Sequence, residues 1–79
     1  MDLAIDALSQ AHDVEPGDAL INYNLACYWC LAGSKQRALS FLSTAFEIDA
    51  DYRDLVDGEP DFDPLREDPD FLVLTSVIV

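Results

Sequence analysis

The feature that most constrains this chain is that it matches itself at an offset of 34 residues. Ala4 falls on Ala38, Leu8 on Leu42, Ala11 on Ala45, and Pro16 lies opposite Ala50. A period of that length, carried by small and apolar positions, marks a unit of two helices and a turn. Such a unit leaves an apolar face that only a neighbouring unit or a closing element can cover. With 79 residues there is room for one core, and a chain this short buries only about 60% of its unfolded surface.

Local patterns agree with the period. From Asp2 to Val14, Leu3, Ala4, Ala7, Leu8, Ala11 and Val14 recur every three or four residues, the stripe of an amphipathic helix. Glu15-Pro16-Gly17-Asp18 ends it, and Asp18 is a good N-cap for the next. Ala19 to Ala32 is apolar nearly all round, as in a helix enclosed by other elements. Gly33 suits the position after its C-cap, and Ser34 is expected to cap a third, amphipathic helix from Lys35 to Ile48. So short a turn predicts a helical hairpin.

Beyond Ile48 the composition changes. Of 16 acidic residues, ten lie between Asp49 and Asp70, interleaved with Tyr52, Leu55, Val56, Phe62 and Leu65. Asp51 is expected to cap a short helix ending at Gly58. Asp63-Pro64 and Asp68-Pro69 each read as a capping acid before a first-turn proline. The stretch from Pro69 onward is predicted helical, although Val73, Val77, Ile78 and Val79 also suit a strand. The expected fold class is therefore all-α: an antiparallel helix-turn-helix solenoid fragment closed by short C-terminal helices.

Segment 18–51 resembles one complete tetratricopeptide repeat, with Asn22-Tyr23-Asn24-Leu25-Ala26 opening its first helix. Trp29 stands at the large aromatic position, Gly33 at the turn, and Ala26, Ala38 and Ala45 at the family's small positions. Asn22 replaces the early tryptophan and Ala50 the terminal proline. Residues 2–17 resemble the second helix of a preceding half repeat, and 52–79 is similar to acidic segments that close such arrays in many bacterial proteins. The resemblance implies a single domain over 1–79, non-enzymatic, that scaffolds protein–protein interaction. It implies that the first helix of the repeat offers a concave face, here Leu20, Tyr23, Cys27, Cys30 and Leu31 with Asn24 adjacent. The chaperone-tail type of repeat clamps a terminal carboxylate with basic residues, which this helix lacks, although Asn24 matches one of its asparagines. The face suits a helical or extended apolar segment of a protein or peptide partner, and the surface charge allows a basic one. The alternative is structural: self-association into a homo-oligomer through an apolar surface left on the N-terminal half repeat, unless further repeats precede it.

Charge and motifs narrow the rest. A net charge of −12, with only Lys35, Arg37, Arg53 and Arg66 positive, argues against nucleic-acid backbones and anionic membranes. The apolar tail from Phe71 to Val79 falls short of the ~20 residues of a membrane helix. No leader pattern is present, so a soluble, cytoplasmic protein is expected. Cys27-Ala-Tyr-Trp-Cys30 has a C-x-x-C spacing, but zinc needs two more ligands and His12, the one histidine, is remote in sequence. Both cysteines are therefore expected as buried free thiols with no cofactor, the lesser alternative being a metal or redox site on the Cys27–Cys30 pair. Aligning Gly58 with the glycine of a calcium loop puts Arg53, Leu55 and Pro64 at ligand positions, so that reading fails. No serine or cysteine stands in a nucleophile motif, and a lone histidine defines no catalytic arrangement.

Overall fold

The computed structural model describes residues 3–75, and every regular element among them is helical. Helix α1 spans Leu3–Val14, α2 Ala19–Leu31, α3 Lys35–Ile48 and α4 Tyr52–Val56. A 3-10 helix over Pro60–Leu65 and helix α5 over Pro69–Thr75 follow. The all-α expectation holds for this span, while Val77, Ile78 and Val79 lie outside the described residues. No helix among the described residues is long and apolar enough to cross a membrane.

Side chains and turn geometry set the ends of α2. The Asp18 carboxylate accepts the Ile21 amide at 3.1 Å, satisfying one orphan donor of the first turn. Asn22 is fully buried and donates its side-chain amide to the Pro16 and Asp18 carbonyls at 3.0 and 2.8 Å. At the other end Gly33 adopts φ +87°, the left-handed conformation that glycine takes without strain. The Gly33 and Ser34 amides then reach the Cys30 and Trp29 carbonyls at 3.1 and 2.9 Å, a Schellman motif. Ser34 makes no side-chain cap, contrary to expectation. The turn is so short that Ser34 closes α2 with its N–H and opens α3 with its carbonyl, which accepts the Ala38 amide at 3.0 Å.

Helices α2 and α3 form the main hairpin, and Ala26, Ala38 and Ala45 are fully buried between them. Small residues there let the backbones approach closely. Helix α1 lies against α2, with Ile5 buried, Leu8 half-buried and His12 edge-on to Phe41 at 5.4 Å. Of the expected stripe on α1, Leu8 and Ala11 are half-buried, whereas Ala7 and Val14 are exposed.

The acidic segment folds back over α2. Phe62 is fully buried, 5.7 Å from the Tyr23 ring and 5.8 Å from the Phe71 ring, while Tyr52 lies 5.2 Å from Tyr23. Two expected caps are corrected here. Helix α4 ends at Val56 rather than Gly58, and the Asp51 side chain caps nothing; its amide instead donates to the Asp49 carboxylate at 3.0 Å. Asp63-Pro64 does not begin a helix, since Glu59-Pro60 does, with Pro64 inside the 3-10 helix. A 3-10 stretch this short loses one hydrogen bond to Pro64, and Asp63 accepts Arg66 Nε at 3.3 Å. Asp68 caps α5 as expected, accepting the Asp70 and Phe71 amides at 2.9 and 3.2 Å. Lys35, at the start of α3, bridges Asp68 and Asp70 at 2.8 and 2.9 Å.

Ala38→Leu is expected to overpack the hairpin and cost about 1–3 kcal/mol. Phe62→Ala is expected to cost about 3–5 kcal/mol, against a total stability of about 4–12 kcal/mol for a chain of this size. Urea unfolding measures both, and a neutral result at either position removes the corresponding contact. The ion pair has a pH signature. Lys35 holds the Asp68 carboxyl below its ordinary value of 3.8, so its contribution is present above that pH and is lost as the carboxyl protonates in stronger acid. The stability gap between wild type and Lys35→Ala should therefore narrow below that pH, and an unchanged gap would assign it to packing.

Candidate functional site

The structure divides the six residues of the expected face into two groups. Tyr23, Cys27 and Cys30 are buried, whereas Leu20, Leu31 and Asn24 are exposed. They do not form one open groove. The acidic segment supplies the cover: Phe62 and Leu65 join Tyr23, Cys27 and Cys30 in one apolar cluster. Leu20, Asn24 and Leu31, spaced four and seven apart, remain as a stripe along the open side of α2.

Beneath the cover lies a polar cluster that the sequence patterns did not reveal. The Cys27 sulfur and carboxylate oxygens of Glu59 and Asp61 all lie within 4.8 Å of one another. Cys27 is buried, and the two acids are half-buried, unlike the exposed Asp57 and Asp63 nearby. Glu59 accepts the Asp61 amide at 3.4 Å, which draws the two residues together at the start of the 3-10 helix. Arg66 fixes the strand of chain leading there. Its Nη2 donates to the Val56 carbonyl at 2.8 Å and the Glu59 carbonyl at 2.7 Å.

One turn before Cys27, the Tyr23 hydroxyl is buried and has no hydrogen-bond partner. An unpaired buried hydroxyl costs about 1–3 kcal/mol. Burial raises its pKa, and the ionisable groups of Cys27, Glu59 and Asp61 raise it further, with Arg66 opposing. Burial likewise pushes the Cys27 thiol up to about 12, aided by Glu59, Asp61 and Cys30. Burial first and Asp61 next raise Cys30. Both cysteines are free, and neither has the lowered pKa of a nucleophilic thiol. Cys30 stands outside the three-residue cluster, so the C-x-x-C pair is not the constellation that brings donors together. His12 is engaged with Phe41 instead.

Glu59, Asp61 and Arg66 were legible only as acids and a cation in a closing segment. The Glu-Pro-Asp run at a helix start is the one local signal that sets Glu59 and Asp61 side by side. Their approach to Cys27 is tertiary and leaves no periodicity.

The remaining cations are also engaged. Arg37 lies over the Trp29 ring at 4.6 Å, Arg53 over Phe46 at 4.9 Å, and Lys35 in its bridge. No family model, no curated protein and no solved structure matches this chain. The geometry of the covered face nonetheless gives a direct check. Burial both withholds the Cys27 thiol from reagent and disfavours its thiolate. Alkylation of Cys27 at pH 8, followed by peptide mapping, should be much slower in the folded chain than in urea. Equal rates would mean that the acidic segment does not cover α2.

Proposed function

We propose that the chain is a non-enzymatic helical-repeat module that binds a segment of another protein along the open side of α2. The bound segment is an amphipathic helix, apolar toward the module and basic at its flanks. The observation that carries this reading is the exposed Leu20–Asn24–Leu31 stripe, with Leu20 and Leu31 53% and 62% exposed on an otherwise enclosed helix. A helix docks its apolar face on such a stripe through anchors three, four and seven residues apart, and Asn24 offers a hydrogen bond between the two leucines. Charge complementarity sets the partner's sign. The net charge is −12, and all four cations already face acids, carbonyls or rings of this chain. The raised thiol pKa values and the isolation of His12 support a binding role over a catalytic one.

Leu20→Glu/Leu31→Glu tests the stripe without touching the core. Burying each leucine on a partner is worth on the order of 1 kcal/mol, so the double variant should lose about tenfold or more in affinity while its urea midpoint stays within error. Quantitative capture of basic proteins from source lysate, repeated at raised salt, reads the loss. Equal capture by both forms would reject this face. A concentration-dependent rise in mass by light scattering, abolished by the same variant, would assign the stripe to a second copy of this chain.

A further inference from the structure

We propose that Cys27, Glu59 and Asp61 form a zinc site that staples the acidic closing segment to α2. The three donors come from two separate elements, α2 and the start of the 3-10 helix, and lie within 4.8 Å of one another. Tetrahedral zinc with Zn–S of about 2.3 Å and Zn–O of about 2.1 Å sets its donors about 3.4–3.6 Å apart. Closing the gap requires about 1 Å of movement of the donor atoms. The donor chemistry selects the metal. One sulfur among oxygens favours zinc over magnesium or calcium, which take oxygen donors only.

The Tyr23 hydroxyl is the independent observation. The residue is 94% buried by its 6% exposure, its oxygen is unpartnered, and it stands one turn from Cys27 in the field of Glu59 and Asp61. Three protein ligands leave a fourth tetrahedral position to water, and a water held there is a hydrogen-bond partner for that hydroxyl. A thiolate and two carboxylates carry three negative charges, and a divalent ion removes most of that repulsion. Binding releases the Cys27 proton to solvent and forms one Zn–S and two Zn–O bonds, with no change of oxidation state. Arg66 acts as a positioning residue: through the Val56 and Glu59 carbonyls it fixes the turn that carries Glu59. The site is independent of the Leu20–Leu31 stripe, so either can fail alone.

Cobalt(II) titration of the reduced 79-residue chain, followed by zinc competition, tests the proposal. The expected result is one cobalt per chain with a thiolate-to-cobalt charge-transfer band and tetrahedral visible absorption, bleached by one equivalent of zinc. Cys27→Ser should abolish the band. Glu59→Gln and Asp61→Asn should each weaken binding about 100-fold, at or above the 10–100-fold typical of outer partners. Cys30→Ser should retain band and stoichiometry. Zinc should also raise the urea midpoint of the wild type and not of Asp61→Asn, since a ligand stabilises only the state that binds it. Circular dichroism of each variant without metal shows whether it folds; if Cys27→Ser does not, the half-buried Asp61→Asn decides. Absence of the band, displacement of cobalt by millimolar magnesium, or equal loss in Cys30→Ser would overturn the site, leaving ions on the acidic surface or a cysteine pair.

Discussion

The structure depends on Phe62. Its ring is fully buried between Tyr23 of α2 and Phe71 of α5, and through it the acidic segment closes the side of the hairpin that α3 leaves open. Full burial of such a ring contributes about 1.5–3 kcal/mol, and each aromatic pair about 0.5–1.5 kcal/mol more. Those are large fractions of the few kcal/mol that hold a chain this size together. The dependence runs both ways. Among the described residues no helix after Ile48 exceeds seven residues, and helices that short have no independent stability in water. The segment persists because the face it covers exists, and the hairpin avoids an exposed Tyr23–Cys27–Cys30 face because the segment covers it.

Electrostatics oppose that closure. Ten of 16 acids lie between Asp49 and Asp70, in the segment that must be held against an apolar helix, and like charges drive a compact segment apart. Two of the four cations are placed where they offset this. Lys35 ties the start of α3 to Asp68 and Asp70, and Arg66 gathers backbone carbonyls on both sides of Gly58 while pairing with Asp63. Exposed pairs of this kind contribute little individually. Arg66 does more than a surface pair, because its guanidinium adds a charged donor to the Val56 and Glu59 carbonyls, which also accept the Glu59 and Phe62 amides, and so braces the turn between two short helices.

How much of this could be read in the sequence follows from which forces are local. Asp18, Gly33 and Asp68 were identifiable because a cap needs its partners within three residues, and all three act as expected. Ser34 and Asp51 carry the same chemistry but do not cap with their side chains, because neighbouring backbone bonds and the Asp49 carboxylate settle those turns first. Glu59-Pro60 and Asp63-Pro64 are similar as sequence, and the helix begins at the first of them, with the buried Phe62 between. The hairpin was legible from its 34-residue period. The covering of Tyr23 was not, since an apolar helix face looks the same whether a partner or its own chain occupies it.

That ambiguity separates the two sides of α2. An apolar residue tolerates either fate, but a buried thiol beside two carboxylates does not. Desolvation and two negative neighbours hold Cys27 protonated, and the Tyr23 hydroxyl beside it goes unpartnered, so the covered side carries a polar cost that valine or leucine at these positions would avoid. Glu59 caps the 3-10 helix from this position, but Asp61 beside it gains no hydrogen bond for its carboxylate among the described residues and is less solvated than the exposed Asp57 and Asp63. A cation reverses the sign of the arrangement: the charges that destabilise a bare thiolate become the ligands that hold the ion. The open side has no comparable frustration; its leucines are merely exposed. The two sides of one helix thus differ in kind, one costly unless its charges are compensated and the other available for contact. Phe62 is the residue that keeps them apart.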